Sequence, residues 1–90
     1  MPKATRYRHA AHASWRFVDD GAVILDTRSS GYYSLDVVAA EIWERLGKGE
    51  SLEQAVAALV RRYGEPAARV EADAREFLRE LLAERLLEPV

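Results

Sequence analysis

The stretch GYYSLDVVAAEIWERLG, residues 31–47, contains the change of period that decides the fold. Its segment YYSL is typical of a short β-strand, in which successive side chains point to opposite faces. After Asp36 the apolar residues recur every three or four positions, which predicts an α-helix with one buried face. That face contains Val38, Ala39, Ile42, Trp43 and Leu46. Asp36 is a good helix N-cap and Gly47 a good C-terminal stop, so a strand is predicted to lead directly into the first helix.

Two more strands are predicted before this stretch. Ser14–Val18 alternates Trp15 and Phe17 with Arg16 and Val18, as expected for a strand with one aromatic face. The segment AVILDT is apolar and β-branched enough for a central strand. The turn signals DDG and RSSG separate the three segments, which predicts three short antiparallel strands.

Two more helices are predicted after it. Ser51 and Gln54 have the spacing of a capping box, and Gly64 ends this second helix. The third and longest helix starts near Pro66 and is predicted to run until Pro89. Its apolar residues form two stripes, so either both are core or part of one is offered to a partner. The stripes are Val70, Ala74, Phe77 and Leu81, and Leu78, Leu82 and Leu86.

Length and composition exclude several classes of protein. Ninety residues fit one small domain, and without cysteine there is no disulfide framework. His9 and His12 cannot alone make a zinc site, so we expect no metal and no cofactor. No apolar run is long enough to span a membrane or to resemble a secretory signal, which favours a cytoplasmic protein that does not bind membranes.

The net charge of −2 hides an asymmetry along the chain. Four basic residues precede the first acid, whereas the remainder is acidic. We therefore expect residues 1–13 to form a basic, flexible N-terminal arm, and the alternative is that this arm contacts nucleic acid or an acidic partner.

Catalytic and nucleotide-binding signatures are absent. The glycines mark turns and helix ends rather than a phosphate-binding loop, and no serine nucleophile accompanies the histidines. The carboxylates of the third helix alternate with arginines as solvated pairs: Glu71 with Arg75, Glu76 with Arg79, and Arg69 with Asp73. The sequence thus predicts a protein that is not an enzyme.

A DNA-binding protein is the next alternative, because three helices beside a small sheet have the outline of a winged helix-turn-helix. The third helix mixes arginines with glutamates, so the phosphate backbone would meet no consistently positive face. We therefore expect no nucleic-acid partner.

The order of these parts resembles the PqqD-like family, the RiPP recognition elements of ribosomally made, modified peptide pathways. The resemblance covers roughly residues 14–90 and depends on a strand end, a first helix, a glycine link, a capping box and a leucine-rich last helix. The matching residues are Tyr33, Leu35, Asp36, Ile42, Trp43, Gly47, Gly49, Ser51, Gln54, Phe77, Leu78 and Leu81. The family often has Asn where this chain has Asp36, and both residues cap helices. Residues 1–13 have no counterpart that we can assign.

The resemblance implies an α+β fold of winged helix-turn-helix type, with a three-stranded antiparallel sheet followed by three helices and a single domain over residues 14–90. It implies a non-catalytic domain that binds the leader segment of a precursor peptide as a strand added beside the third strand, against the third helix. A free-standing copy looks most like the leader-binding component of a lasso-peptide pathway, whose partners would be a leader peptidase and a macrocyclase. A pyrroloquinoline quinone version, which works with a radical enzyme, is the alternative. A purely structural adaptor, indifferent to any leader peptide, is a further one.

The residues themselves favour the same surface. Each added main-chain hydrogen bond contributes only about 0.5–1.5 kcal/mol, so side-chain pockets must supply the remaining affinity. By the pleat, Tyr33 and Leu35 face the core and Tyr32 is free to flank a peptide. On the third helix Phe77 either lines the groove or is plain core, and Asp73 is a hydrogen-bond acceptor at the rim. The predicted peptide-binding residues are Ser30, Gly31, Tyr32, Tyr33, Ser34, Leu35, Val70, Asp73, Ala74, Phe77 and Leu81.

Overall fold

The computed structural model describes residues 5–90 and has an α+β fold. The elements in chain order are β1 (Tyr7–His9), β2 (Ala13–Val18), β3 (Gly21–Asp26), β4 (Tyr32–Leu35), α1 (Val37–Gly47), α2 (Leu52–Tyr63), α3 (Ala67–Ala83) and β5 (Leu87–Pro89). The predicted fold class, three antiparallel strands followed by three helices, is confirmed. The strand that the sequence predicted as the third is β4 in the structure. No helix within residues 5–90 is both long enough and apolar enough to cross a bilayer.

The three-stranded sheet has the order β2-β3-β4, and both pairings are antiparallel. The central strand β3 buries Ala22 and Ile24 against the helices, as its apolar composition predicts. Gly21 begins this strand with a φ of 147°, and a Cβ there would overlap the carbonyl oxygen of Leu35. Glycine at this position therefore lets the β2–β3 turn lie directly against the end of β4.

The helix boundaries follow local capping chemistry. The Asp36 carboxylate accepts the N–H of Ala39 at 2.8 Å, and Ser51 with Gln54 forms the predicted reciprocal capping box. Gly64 closes α2 in the left-handed conformation. Trp43 of α1 lies at the centre of the core, among side chains from the sheet and all three helices.

The prediction of a flexible arm over residues 1–13 is wrong for the part that the structure describes. Tyr7–His9 forms β1, which pairs antiparallel with β5 and places Arg8 opposite Glu88. Tyr7 is buried in the core, and the His9 imidazole packs on Trp43. Burial of these aromatic side chains explains why a basic segment is ordered. Residues 1–4 of the predicted arm lie outside the described residues.

The predicted end of the third helix at Pro89 is also wrong. Helix α3 ends at Ala83, and Arg85 has a φ of 58°, which turns the chain back toward the core. This turn buries Leu86 and Leu87 and starts β5. The burial of two leucines offsets the cost of a left-handed conformation at a residue other than glycine.

Candidate functional site

Strand β4 is an open sheet edge, since among residues 5–90 it pairs with β3 alone. The N–H of Asp26 donates to the carbonyl of Gly31 at 2.8 Å, which fixes the alternation of hydrogen-bonded pairs along the two strands. Tyr33 and Leu35 consequently direct their main-chain groups toward β3. Tyr32 and Ser34 direct theirs away from the sheet, so the open edge offers the N–H and C=O groups of these two residues.

The side chains of β4 separate as the pleat predicts. Tyr33 and Leu35 pack against the core cluster, whereas the side chain of Tyr32 is 70% exposed. This confirms the assignment of Tyr33 and Leu35 to the core face and of Tyr32 to the solvent face. Tyr32 lies opposite Leu25 of β3, which is also exposed.

A groove of about 590 Å³ lies between β4 and the C-terminal half of α3, and we call it the β4–α3 groove. It is lined by Tyr32, Tyr33, Ser34, Leu35, Phe77, Glu80, Leu81, Ala83, Glu84 and Leu86. The open edge of β4 thus lies beside an apolar floor with two glutamates on its α3 wall. An extended peptide that paired with Tyr32 and Ser34 would lie along this floor.

A second cavity of about 450 Å³, the α1–α3 cavity, adjoins the first and is formed by α1, α2 and the N-terminal half of α3. Its lining residues are Asp36, Val38, Ala39, Ile42, Leu59, Tyr63, Glu65, Arg69, Val70, Asp73 and Phe77. Phe77 lines both cavities and is half-buried. The two cavities therefore meet at this side chain.

The structure distributes the predicted site residues over both cavities. Residues 32–35, Phe77 and Leu81 line the β4–α3 groove, whereas Val70 and Asp73 line the α1–α3 cavity. Leu81 is only 3% exposed and contributes to the floor.

Three predicted residues line neither cavity. The Ser30 N–H donates to the Asp26 carbonyl, and the Gly31 carbonyl accepts from the Asp26 N–H. These main-chain groups are therefore used within the β3–β4 turn. Ala74 has no exposed surface and packs in the core behind the groove.

Sequence reasoning missed Glu80, Ala83, Glu84 and Leu86 among the residues that line the β4–α3 groove. Glu80 and Glu84 follow Phe77 by three and seven residues, which is the spacing of one helix face. That spacing is the signal that could have identified them once Phe77 was chosen.

A polar network ties the β3–β4 turn to the end of α3. The Tyr33 hydroxyl donates to Glu84 Oε1 at 2.6 Å, and this hydrogen bond, with burial, raises the pKa of Tyr33. The Arg28 guanidinium donates to the Glu84 carbonyl at 3.2 Å and pairs with Asp26 at 3.0 Å. Its hydrogen bonds hold the pKa of the Asp26 carboxyl at about 2. These contacts fix the separation of β4 and α3 at one end of the groove.

The groove thus combines free main-chain donors and acceptors, an apolar floor and carboxylates. Neither His9 nor His12 lines either cavity, since His9 packs on Trp43 and His12 lies 2.7 Å from the carbonyl of Arg85. This arrangement suits the binding of an extended chain.

A protein-family model described as coenzyme PQQ synthesis protein D (PqqD) matches residues 21–87. Because that match covers most of the chain, the protein belongs to the PqqD family. None of the curated proteins matches the sequence.

Solved structures are also similar to this chain. TbiB1 in complex with the TbiA(beta) leader peptide is 33% identical, with a TM-score of 0.82 over 90% of this chain and 94% of that one. A lasso peptide synthetase B1 complexed with the leader peptide is 28% identical, with a TM-score of 0.84 over 93% and 99%. The PqqD truncation of Methylobacterium extorquens PqqCD, described as a functional and stand-alone RiPP recognition element, is 24% identical, with a TM-score of 0.74 over 91% and 87%, and supports the fold alone.

Proposed function

We propose that this protein binds the leader segment of a ribosomally made precursor peptide, which adds as a strand to β4 and packs against α3. The observation that carries the proposal is the open edge of β4 directly beside the β4–α3 groove. Two relatives with TM-scores above 0.8 are described as complexes with leader peptides, which supports the same kind of ligand here.

The free energy of binding requires both the open edge of β4 and the side chains of the β4–α3 groove. Tyr32 and Ser34 offer four outward main-chain groups, which would contribute roughly 2–6 kcal/mol at about 0.5–1.5 kcal/mol for each hydrogen bond. Micromolar binding needs about 8 kcal/mol, in addition to the entropy that the peptide loses. Apolar contacts with Phe77 and the floor of the groove must supply the difference. Selectivity then comes from these side chains, because main-chain hydrogen bonds do not distinguish one peptide sequence from another.

We further propose that the domain is non-catalytic and presents its bound precursor to a leader peptidase and a macrocyclase of a lasso-peptide pathway. The identities of 33% and 28% to proteins described with leader peptides, one of them a lasso peptide synthetase B1, favour this pathway. The alternative, a chaperone that holds a peptide for a radical enzyme in pyrroloquinoline quinone synthesis, is favoured by the family description.

The test is a titration of the ¹⁵N-labelled protein with a synthetic leader peptide of the precursor encoded beside this gene. We expect saturable shifts of the amides of Tyr32 and Ser34 and of the α3 residues around Phe77. A scrambled peptide of the same composition is the control. Shifts confined to other surfaces, or no saturable binding, would overturn the proposal.

A further inference from the structure

We propose that the site selects a peptide in which basic side chains flank the apolar residue that contacts Phe77. This inference rests on the proposed function and adds the chemistry of the peptide that fits. Its basis is the charge on the walls of the two cavities. Five carboxylates and one guanidinium line them: Asp36, Glu65, Asp73, Glu80, Glu84 and Arg69.

The carboxylates of the two cavities form no ion pair among the described residues, and outside the cavities the same holds for Asp19, Asp20 and Glu76. Within residues 5–90, seven acidic side chains form ion pairs, and all seven lie outside both cavities. They are Asp26, Glu41, Glu44, Glu50, Glu53, Glu71 and Glu88. None of the five cavity carboxylates has an ion-pair partner among the described residues, although Asp36 caps α1 and Glu84 accepts a hydrogen bond from Tyr33.

Helix α3 likewise has its ion pair outside the two cavities and an unpaired carboxylate at one of them. Its spacing predicts three ion pairs, and of these only Glu71–Arg75 forms within the described residues, at 2.7 Å. The predicted pairs Arg69–Asp73 and Glu76–Arg79 are absent. The pair that forms lies on the α2 side of the helix, where both residues line a different cavity. Asp73 is left facing the α1–α3 cavity without a partner.

The geometry gives a spacing for the basic residues of the peptide. Asp73 precedes Phe77 by four residues and Glu80 follows it by three, so the two carboxylates flank the phenyl ring on one helix face. At about 1.5 Å per helical residue they are roughly 10 Å apart, which an extended peptide covers in about three residues. Glu84 lies further along, and its Oε1 already accepts from Tyr33. Two basic side chains about three to five residues apart, with an apolar residue between them, match this pattern.

A selection experiment tests the inference without a known ligand. The immobilised full chain is used to enrich a display library of short random peptides, and competition with the Phe77→Ala variant identifies binders of the groove. We expect the enriched pool to contain apolar residues flanked by Lys or Arg. A pool that depends on Phe77 but has no excess of basic residues would overturn this inference and leave the proposed function standing. Absence of enrichment, together with no binding of the cognate leader, would overturn both.

Variants of α3 then measure the charge effect directly. One enriched peptide and its Gln-substituted form are titrated against the wild type, Asp73→Asn and Glu80→Gln. The matched control is Glu76→Gln, which removes the same charge from an exposed residue that lines neither cavity. Asp73→Asn and Glu80→Gln should each weaken the binding of the basic peptide by about two- to fivefold and leave the binding of the Gln-substituted peptide unchanged. Rising salt should reduce the difference. Equal effects of Glu76→Gln and Glu80→Gln would show a general charge effect and contradict the inference.

Discussion

The imidazole of His9 lies flat on the indole of Trp43, with ring centroids 3.7 Å apart and planes within 9°. His9 Nε2 also lies 2.8 Å from the main-chain oxygen of Trp43, at hydrogen-bonding distance for a ring N–H donor. Trp43 is fully buried at the centre of the core, so this contact connects β1 to the interior of the domain. The N-terminal strand is thus part of the fold on which the site depends.

Replacing Gly47 tests this contact. A Cβ on Gly47 would overlap the His9 ring, which cannot move without leaving both the Trp43 stack and its hydrogen bond. Glycine to alanine in a helix ordinarily stabilises, but here we expect Gly47→Ala to lower the free energy of unfolding by about 1–3 kcal/mol. Thermal melts should show a Tm lower by about 4–8 °C for each kcal/mol.

The control for this change is Gly31→Ala, where a Cβ would meet only the Ser29 hydroxyl at 3.3 Å. Its Tm should stay close to that of the wild type. An unchanged or raised Tm for Gly47→Ala would contradict the close packing of β1 on α1.

The same histidine makes stability depend on pH. Burial lowers the pKa of His9 below its ordinary value, while the hydrogen bond to Trp43 opposes that shift. Since the unfolded chain then binds a proton more readily than the folded one, stability is full above the unfolded pKa of about 6.5 and falls as the pH drops below it. Urea unfolding between pH 7.5 and pH 5 should show this loss, and a His9→Gln variant should show less of it. An equal decline in both proteins would assign the effect to other groups.

Local signals explain what could be predicted from the sequence. The alternation of YYSL, the Asp36 cap and the Ser51–Gln54 capping box depend on residues within a few positions of one another, and all three are observed. The pairing of β1 with β5 joins residues about eighty positions apart, and no periodicity predicts such a contact.

The end of α3 and the walls of the groove depend on packing. The leucine pattern continues through Leu86 and favours helix, yet burial of Leu86 and Leu87 turns the chain at Arg85. The sequence left Phe77 open between the groove and the core. Helix spacing places Glu80 and Glu84 on the same face as Phe77, but the contact of α3 with β4 decides whether that face lines the groove.

Tyr32→Pro tests strand addition at the edge of β4. Proline removes an N–H that points away from β3 and breaks no bond within the sheet, so the fold should be retained. The affinity for the leader peptide should fall by about two- to tenfold or more, since one outward hydrogen bond is lost. The control is Tyr32→Ala, which keeps the N–H. Isothermal titration should find that Tyr32→Pro binds the leader peptide more weakly than Tyr32→Ala does. Equal affinities would place the peptide away from this edge.

Phe77→Ala separates binding from stability. Phe77 is half-buried and lines both cavities, whereas Leu82 is half-buried on α3 and lines neither. Truncating either side chain should lower the free energy of unfolding by about 1–3 kcal/mol, less than for a fully buried residue. Only Phe77→Ala should also weaken leader binding, by tenfold or more, because about 1.4 kcal/mol of lost apolar contact corresponds to a factor of ten. Chemical unfolding and peptide titration on both variants make the comparison, and equal affinities for Phe77→Ala and Leu82→Ala would remove Phe77 from the site.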